Sequence, residues 1–124
     1  MSSTKPTVFI IDSDAAVRDS SRMLLESEGM VAQTYASAAA FLRDAHPERS
    51  SCIVVDINLA GVEGRDFLDE FYQRGIVIPI IVTTSGKVTE FLRSAVDRVG
   101  ATLLEKPYAP QELIAHLRRA LDPG

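Results

Sequence analysis

The feature that most constrains this chain is the alternation of short apolar runs with segments of helical periodicity. Each apolar run is followed by a stretch in which apolar residues recur at three- and four-residue spacing. Near-continuous apolar strands separated by helices predict a parallel sheet that is covered on both faces. Right-handed crossovers then give a doubly wound α/β sandwich with a five-stranded parallel sheet and five helices. The predicted strands are Val8–Ile11, Met30–Tyr35 (the weakest), Cys52–Val55, Ile76–Val82 and Ala101–Leu104.

The helical segments carry recognisable ends and one apolar face. Ser37 and Pro110 stand where helix starts are expected, and glycine follows several of the predicted helices. The periodicity places Met23 in the apolar pattern of the first helix and Phe91 in that of the fourth. The predicted helices are Asp14–Gly29, Ser37–Arg43, Gly64–Arg74, Val88–Val99 and Pro110–Leu121.

Length and composition fit one globular domain. The 124 residues are enough for a single core, which we expect over 6–121, with 122–124 as the start of a linker. The sequence leaves open whether the domain stands alone or precedes an output domain. The net charge of −4 argues against nucleic-acid binding by this domain, because phosphate contacts need clustered Lys and Arg. The single cysteine, Cys52, lies in an apolar run and is predicted to be a buried, inert thiol. The sequence contains neither a membrane-length apolar run nor a signal-peptide core, so a cytoplasmic location is expected.

Polar residues follow four of the five predicted strands. In doubly wound sheets, ligands bind beyond the carboxyl ends of the strands. Each residue there also has an ordinary structural explanation, since Asp14 could cap a helix, Thr84 could be a loop residue and Lys106 could be a solvated lysine. Their occurrence together at one sheet edge favours a functional site. The segments concerned are Asp12-Ser13-Asp14, Asp56, Thr83-Thr84-Ser85 and Glu105-Lys106-Pro107.

These residue types indicate phosphoryl chemistry. Carboxylates held close together repel each other unless a cation joins them. Hard oxygen ligands suit Mg²⁺, which takes one or two carboxylates together with water and phosphate oxygens. A lysine and a hydroxyl beside such a metal can neutralise and hydrogen-bond a phosphoryl group. The set therefore favours phosphoryl transfer to an aspartate.

Four segments resemble the motifs of response-regulator receiver domains, the CheY-like superfamily of two-component signalling. They are VFIIDSD, CIVVDINLAGVEG, IPIIVTTSG and GATLLEKPYAPQEL, and they span nearly the whole chain. The resemblance implies a flavodoxin-like three-layer sandwich in which Asp56 accepts a phosphoryl group from a histidine kinase or phosphotransfer protein. Thr84 would hydrogen-bond the new phosphate, Lys106 would pair with it, and the Lys106–Pro107 bond would be cis. The domain would signal rather than act as an enzyme, at most assisting its own phosphorylation and dephosphorylation. A homodimer through the fourth helix, fifth strand and fifth helix is also implied.

The same resemblance implies a Mg²⁺ cofactor and shows where this sequence departs from the family. The metal ligands would be Asp12, Asp56 and the main-chain carbonyl of Asn58. Receiver domains commonly have a second acid where Ser13 stands, so metal affinity should be reduced, with Ser13 or Asp14 as a candidate contributor through water. Ala60 replaces a common proline, and Leu103, which we expect to be buried, stands where an aromatic residue often rotates on activation.

Two other functions fit part of the pattern. Ser13, Ala60 and Leu103 would suit an atypical receiver with a weakened Mg²⁺ site, which works as a protein-interaction module independent of phosphorylation. The run FIIDSDAAV also resembles the first motif of haloacid-dehalogenase-type phosphohydrolases. That family needs a further acidic pair after the lysine, and only Glu112 and Asp122 remain there.

Overall fold

The structure is a computed structural model that describes residues 5–45, 47, 51–57 and 64–121, with the backbone alone for 64–66. Strands and helices alternate along the chain, and all five strands are parallel in the order β2-β1-β3-β4-β5. The predicted fold class, a doubly wound five-stranded sheet with five helices, is confirmed. The expectation for 122–124 falls outside the described residues. The elements are β1 Thr7–Ile11, α1 Ala15–Ser27, β2 Val31–Tyr35, α2 Ala38–Asp44, β3 Ser51–Asp56, α3 Gly64–Gln73, β4 Ile80–Thr84, α4 Glu90–Val99, β5 Thr102–Glu105 and α5 Pro110–Leu121.

The sheet has a buried apolar layer on each face. Side chains alternate across a strand, so Phe9 and Ile11 of β1 enter one layer while Val8 and Ile10 enter the other. The first layer packs beneath α2, α3 and α4, and the second packs beneath α1 and α5. Cys52 is fully buried in the second layer, as its apolar surroundings predicted. Two rigid layers fix the strand ends relative to one another, which is what a site built across several strands requires.

Three details of the sequence prediction were wrong. Strand β4 begins at Ile80 rather than Ile76, because the Ile76 N–H bonds back to the Phe71 carbonyl and Pro79 has no N–H to donate. Met23 is 68% exposed, since it lies two residues from the buried Leu25 and therefore on the opposite side of α1. Phe91 is 72% exposed in the first turn of α4, whose buried residues come later at Ala95 and Val96.

Helix α4 begins at Glu90, two residues later than predicted, and ends at Val99 as predicted. Thr89 caps the start by accepting a hydrogen bond from the Leu92 N–H at 3.1 Å. Gly100 ends the helix with φ of 69°, a left-handed conformation that glycine adopts without strain. Within the part of the chain that the structure describes, no helix has the length and apolar character needed to cross a membrane.

Candidate functional site

The predicted site residues that the structure describes lie at the carboxyl edge of the sheet. Asp56 is the last residue of β3 and pairs in register with Thr83 of β4, while Thr84 pairs with Glu105 of β5. Asp12 follows β1, the neighbour of β3 on its other side. Parallel pairing alone therefore brings the ends of four strands together.

Lys106 connects two of the carboxylates. Its ammonium Nζ lies 3.3 Å from Asp56 Oδ2 and 3.5 Å from Asp12 Oδ2. The Lys106 main chain is fixed because its N–H donates to the Thr84 carbonyl at 2.7 Å. The Lys106–Pro107 peptide bond is cis, as the family resemblance implied. The result is a cluster of two carboxylates around one ammonium group, drawn from three separate strand ends.

Burial and neighbouring charges shift the pKa values of Asp12 and Lys106 in opposite directions. Asp12 is only 4% exposed, and burial raises the pKa of its carboxyl, outweighing the lowering by the Asp14 N–H and by Lys106. Burial also lowers the pKa of Lys106, but attraction to Asp56 and Asp12 outweighs it, so the net shift of that pKa is upward. The lysine is therefore held in its charged form beside carboxylates, one of which is costly to ionise.

The hydroxyl residues at the end of β4 have different surroundings. The Thr84 side chain is 1% exposed, and its Oγ1 accepts a hydrogen bond from the Gly86 N–H at 3.2 Å. The Thr83 hydroxyl donates to the Val55 carbonyl at 3.5 Å, which ties it to the neighbouring strand. Thr84 is thus the one of this pair whose oxygen is bound to the loop that follows the strand.

The corner between β1 and α1 is held by hydrogen bonds. Asp14 is the N-cap of α1 and accepts from the Ala16 N–H at 2.9 Å, so it has the capping role that was its structural alternative. Ser13 is exposed. Arg18, which the sequence reasoning did not single out, donates from Nη1 to the Asp12 carbonyl oxygen at 2.7 Å. Its position one turn after the cap is the sequence signal that could have identified it.

The described donor set is compatible with a hard divalent cation. Asp12 Oδ2 and Asp56 Oδ2 already approach one positive charge from two sides. No group of three or more His, Cys, Asp or Glu side chains suited to a metal occurs among the described residues. Mg²⁺ needs only one or two carboxylates, since water and phosphate oxygens complete its shell. Asn58 and Ala60, which the family resemblance also invoked, lie outside the described residues.

Two residues that bear on the alternatives also have clear positions. Leu103, which the sequence predicts to be buried, is only partly buried and packs against the apolar layer beneath α4. The Glu112 carboxylate accepts a hydrogen bond from the Ala109 N–H at 2.9 Å. Glu112 therefore helps to start α5, a local role that does not favour the phosphohydrolase metal site.

Comparisons with known proteins point to one family. The family model described as the response regulator receiver domain matches residues 8–118. The transcriptional regulatory protein FixJ of Azorhizobium caulinodans is 38% identical over 114 residues, covering 92% of this chain and 54% of that protein. Nodulation protein W of Bradyrhizobium diazoefficiens is 34% identical, covering 90% of this chain and 49% of its own length. The chain therefore spans about half the length of the curated relatives that it matches.

Solved structures agree with that result. The crystal structure of FixJ-N has a TM-score of 0.83 and 28% identity, and the match covers 98% of this chain and 97% of that chain. Full-length FixJ from B. japonicum has a TM-score of 0.84 and 31% identity, covering 96% of this chain and 59% of that one. A CheY-like receiver domain protein from Methanospirillum hungatei, at 24% identity and a TM-score of 0.85, shares the fold.

Proposed function

The chain belongs to the response-regulator receiver domain family, and on this premise we propose that Asp56 accepts a phosphoryl group from a histidine kinase or phosphotransfer protein. The observation that carries the proposal is the 3.3 Å pair between Lys106 Nζ and Asp56 Oδ2. It sets a carboxylate nucleophile beside a fixed cation at the sheet edge where ligands bind in such folds.

The transfer moves one phosphoryl group between two nucleophiles. An Asp56 carboxylate oxygen attacks the phosphorus of a phosphohistidine, the P–N bond breaks, and an acyl phosphate forms. The imidazole of the donor leaves with the electron pair of that bond and takes up a proton. Lys106, already beside Asp56, pairs with an oxygen of the incoming group and offsets its negative charge.

Asp12 and Asp56 are the described residues that would hold Mg²⁺, together with the main-chain carbonyl of Asn58. When bound, the ion supplies positive charge for the phosphoryl oxygens. Ser13 brings no charge to this corner, and one carboxylate oxygen of Asp14 already accepts a hydrogen bond from the Ala16 N–H. Either side chain could add a contact only through water, so we expect Mg²⁺ affinity to be weak.

Thr84 would report the modification. Its Oγ1 accepts a hydrogen bond from the Gly86 N–H, two residues further along the chain. A phosphoryl oxygen could replace Oγ1 as the acceptor of that bond, or could become a new partner of the Thr84 hydroxyl. Exchange of that contact would move the loop between β4 and α4. In this proposal the movement passes to an output domain or a separate partner protein.

The face made by α4, β5 and α5 is the proposed surface for a phosphorylation-dependent homodimer. Five charged residues on it are candidates for pairs between subunits. Arg98 is engaged within the chain by Asp69 at 2.6 Å, and Arg118 by Glu28 at 2.6 Å. Exposed Phe91 adds apolar area at the start of α4. The five charged candidates are Arg93, Asp97, Arg98, Arg118 and Arg119.

The experiment that tests the proposal uses beryllium fluoride, which mimics a phosphoryl group without a covalent step. We expect Mg²⁺ with beryllium fluoride to shift the amide NMR signals of Thr84 and Lys106 beyond any change that Mg²⁺ alone produces, and beryllium fluoride alone to produce no shift. Absence of any shift, although the folded spectrum is retained, would favour the second candidate function. That candidate is a protein-interaction module independent of phosphorylation, and exposed, uncharged Ser13 in place of an acid is the observation that favours it.

A further inference from the structure

The Asp12 residue is held at four points, each by a different part of the chain. Its N–H donates to the Tyr35 carbonyl of β2 at 3.1 Å, and its Oδ1 accepts from the Asp14 N–H at 2.9 Å. Its Oδ2 faces Lys106 at 3.5 Å. Its main-chain carbonyl accepts from Arg18 Nη1 at 2.7 Å. These contacts fix both the main chain and the rotation of the carboxylate.

Arg18 holds the corner through two bonds of different kinds. Its backbone N–H donates to the Asp14 carbonyl at 3.0 Å as part of the first turn of α1, and its side chain folds back to the Asp12 carbonyl. Side chains on a helix lean toward its N-terminus, which makes that return possible. The guanidinium thus ties Asp12, two residues before the helix cap, to the first turn of the helix.

This tether has added importance because of Ser13. A corner with two acids would have two anionic groups with which to attract a cation. Here Asp12 is the carboxylate of that stretch that faces Lys106, whereas the Asp14 carboxylate caps α1. The affinity of the corner for a divalent cation then depends on how well a single carboxylate is aimed.

We propose that Arg18 is a positioning residue that holds the β1–α1 corner so that the Asp12 carboxylate stays directed at the cation-binding edge. The inference rests on the proposed function, because it concerns the Mg²⁺ ligand of that same site. Arg18 acts through the Asp12 main chain and is assigned no contact with metal or phosphate. Its role is geometric rather than electrostatic.

The geometric and electrostatic roles of Arg18 predict opposite changes in cation affinity when Arg18 is replaced. A positive charge near a cation site repels the cation, so removing it should tighten binding if charge were all that mattered. Removing the hydrogen bond should instead loosen the corner and weaken binding. A purely structural role would lower thermal stability and leave the affinity for the metal unchanged.

The test measures divalent cation binding directly by the loss of the free Mn²⁺ EPR signal, with Mg²⁺ competition to give its affinity. We expect Arg18→Met to weaken binding roughly threefold to tenfold, the effect of losing one hydrogen bond. Arg18→Lys, which keeps the charge and a donor, should recover part of the loss. Arg22→Met is the matched control, because Arg22 lies one turn further along α1 and pairs with exposed Asp19 at 3.3 Å.

The possible failures are distinguishable. Unchanged or tighter binding by Arg18→Met, with wild-type protein binding Mn²⁺ and responding to beryllium fluoride, overturns the role of Arg18 alone. An equal loss in Arg22→Met also overturns it, since the effect would then be general to the helix. If the wild-type protein binds no divalent cation, the Mg²⁺ site of the proposed function and this inference fail together.

Discussion

The Lys106 ammonium lies 3.3 Å from the Asp56 carboxylate, although fifty positions separate the two residues in sequence. The pair forms because β3 and β5 flank β4 in one parallel sheet. The same ammonium is 3.5 Å from Asp12, so one lysine offsets two carboxylates.

Replacing Lys106 should make the fold depend on added cation. In Lys106→Met, Asp12 and Asp56 lose their shared positive charge, and we expect unfolding to become easier by about 1–3 kcal/mol in the absence of metal. Mg²⁺ should restore part of this loss, since a ligand that binds only the folded state stabilises it. Thermal melts with and without Mg²⁺ measure the effect, with exposed Lys87→Met as control. An equal Mg²⁺-induced rise in melting temperature in wild type, Lys106→Met and Lys87→Met would contradict this account.

Restoring an acid at the β1–α1 corner should strengthen metal binding. We expect Ser13→Asp to tighten Mg²⁺ binding roughly tenfold, because an anionic oxygen replaces a neutral hydroxyl. Mg²⁺ titration followed by amide NMR gives the affinity. Ser20→Asp adds the same charge on the exposed side of α1 and should change the affinity little. Unchanged affinity in Ser13→Asp would mean that Asp14 or water already supplies that contact.

Neutralising Asp12 should stabilise the metal-free protein while damaging the site. Burial raises the pKa of Asp12, so the folded state favours the protonated form. The stability that this group contributes is complete below its unfolded pKa of 3.8 and is lost as the pH rises through the higher folded pKa. We therefore expect Asp12→Asn to be more stable than wild type at pH 7, on the order of 1 kcal/mol, with a smaller advantage at pH 3.

Urea unfolding at both pH values, in the presence of a chelator, checks the Asp12 prediction. Asp19→Asn removes a carboxylate from an exposed ion pair and should change stability by less than about 1 kcal/mol. A lower stability of Asp12→Asn at pH 7 would show that the attraction of Lys106, rather than burial, dominates at Asp12.

The Cys52 thiol should be inert in the native protein. Burial raises its pKa to about 12, so almost no thiolate exists at pH 8. The stability linked to the neutral thiol is complete below its ordinary pKa of 9.0 and is lost as the pH rises toward 12. We expect negligible alkylation by iodoacetamide at pH 8 until guanidinium unfolds the chain. Rapid alkylation under native conditions would contradict the burial of Cys52.

The sequence predicts the topology well because the topology follows from a pattern that repeats along the whole chain. Alternating apolar runs and amphipathic segments specify a parallel sheet, and parallel strands place Asp12, Asp56, Thr84 and Lys106 at one edge regardless of loop detail. Local composition does not show how far the sheet extends beneath a helix. Phe91 fits the apolar period of α4 and is nonetheless exposed.

The hydrogen bonds that adjust the site could not be predicted in the same way. The tether from Arg18 to the Asp12 carbonyl joins a side chain to a main-chain atom, so an arginine one turn after the cap can signal the donor but no residue type signals the acceptor. The predicted start of β4 at Ile76 is wrong because Ile76–Pro79 is as apolar as a strand, whereas the Ile76 N–H bonds back to Phe71 of α3. Such features depend on backbone geometry rather than on hydropathy.

Phosphorylation of Asp56 is the central claim, and intact-protein mass spectrometry after incubation with acetyl phosphate and Mg²⁺ tests it most directly. We predict that wild-type protein gains the mass of one phosphoryl group and that Asp56→Asn gains none. Omission of Mg²⁺ should reduce the adduct, and Asp97→Asn, which removes an exposed carboxylate of α4, should leave it unchanged. A wild-type protein that remains unmodified, or an Asp56→Asn variant modified to the same extent, would contradict the account.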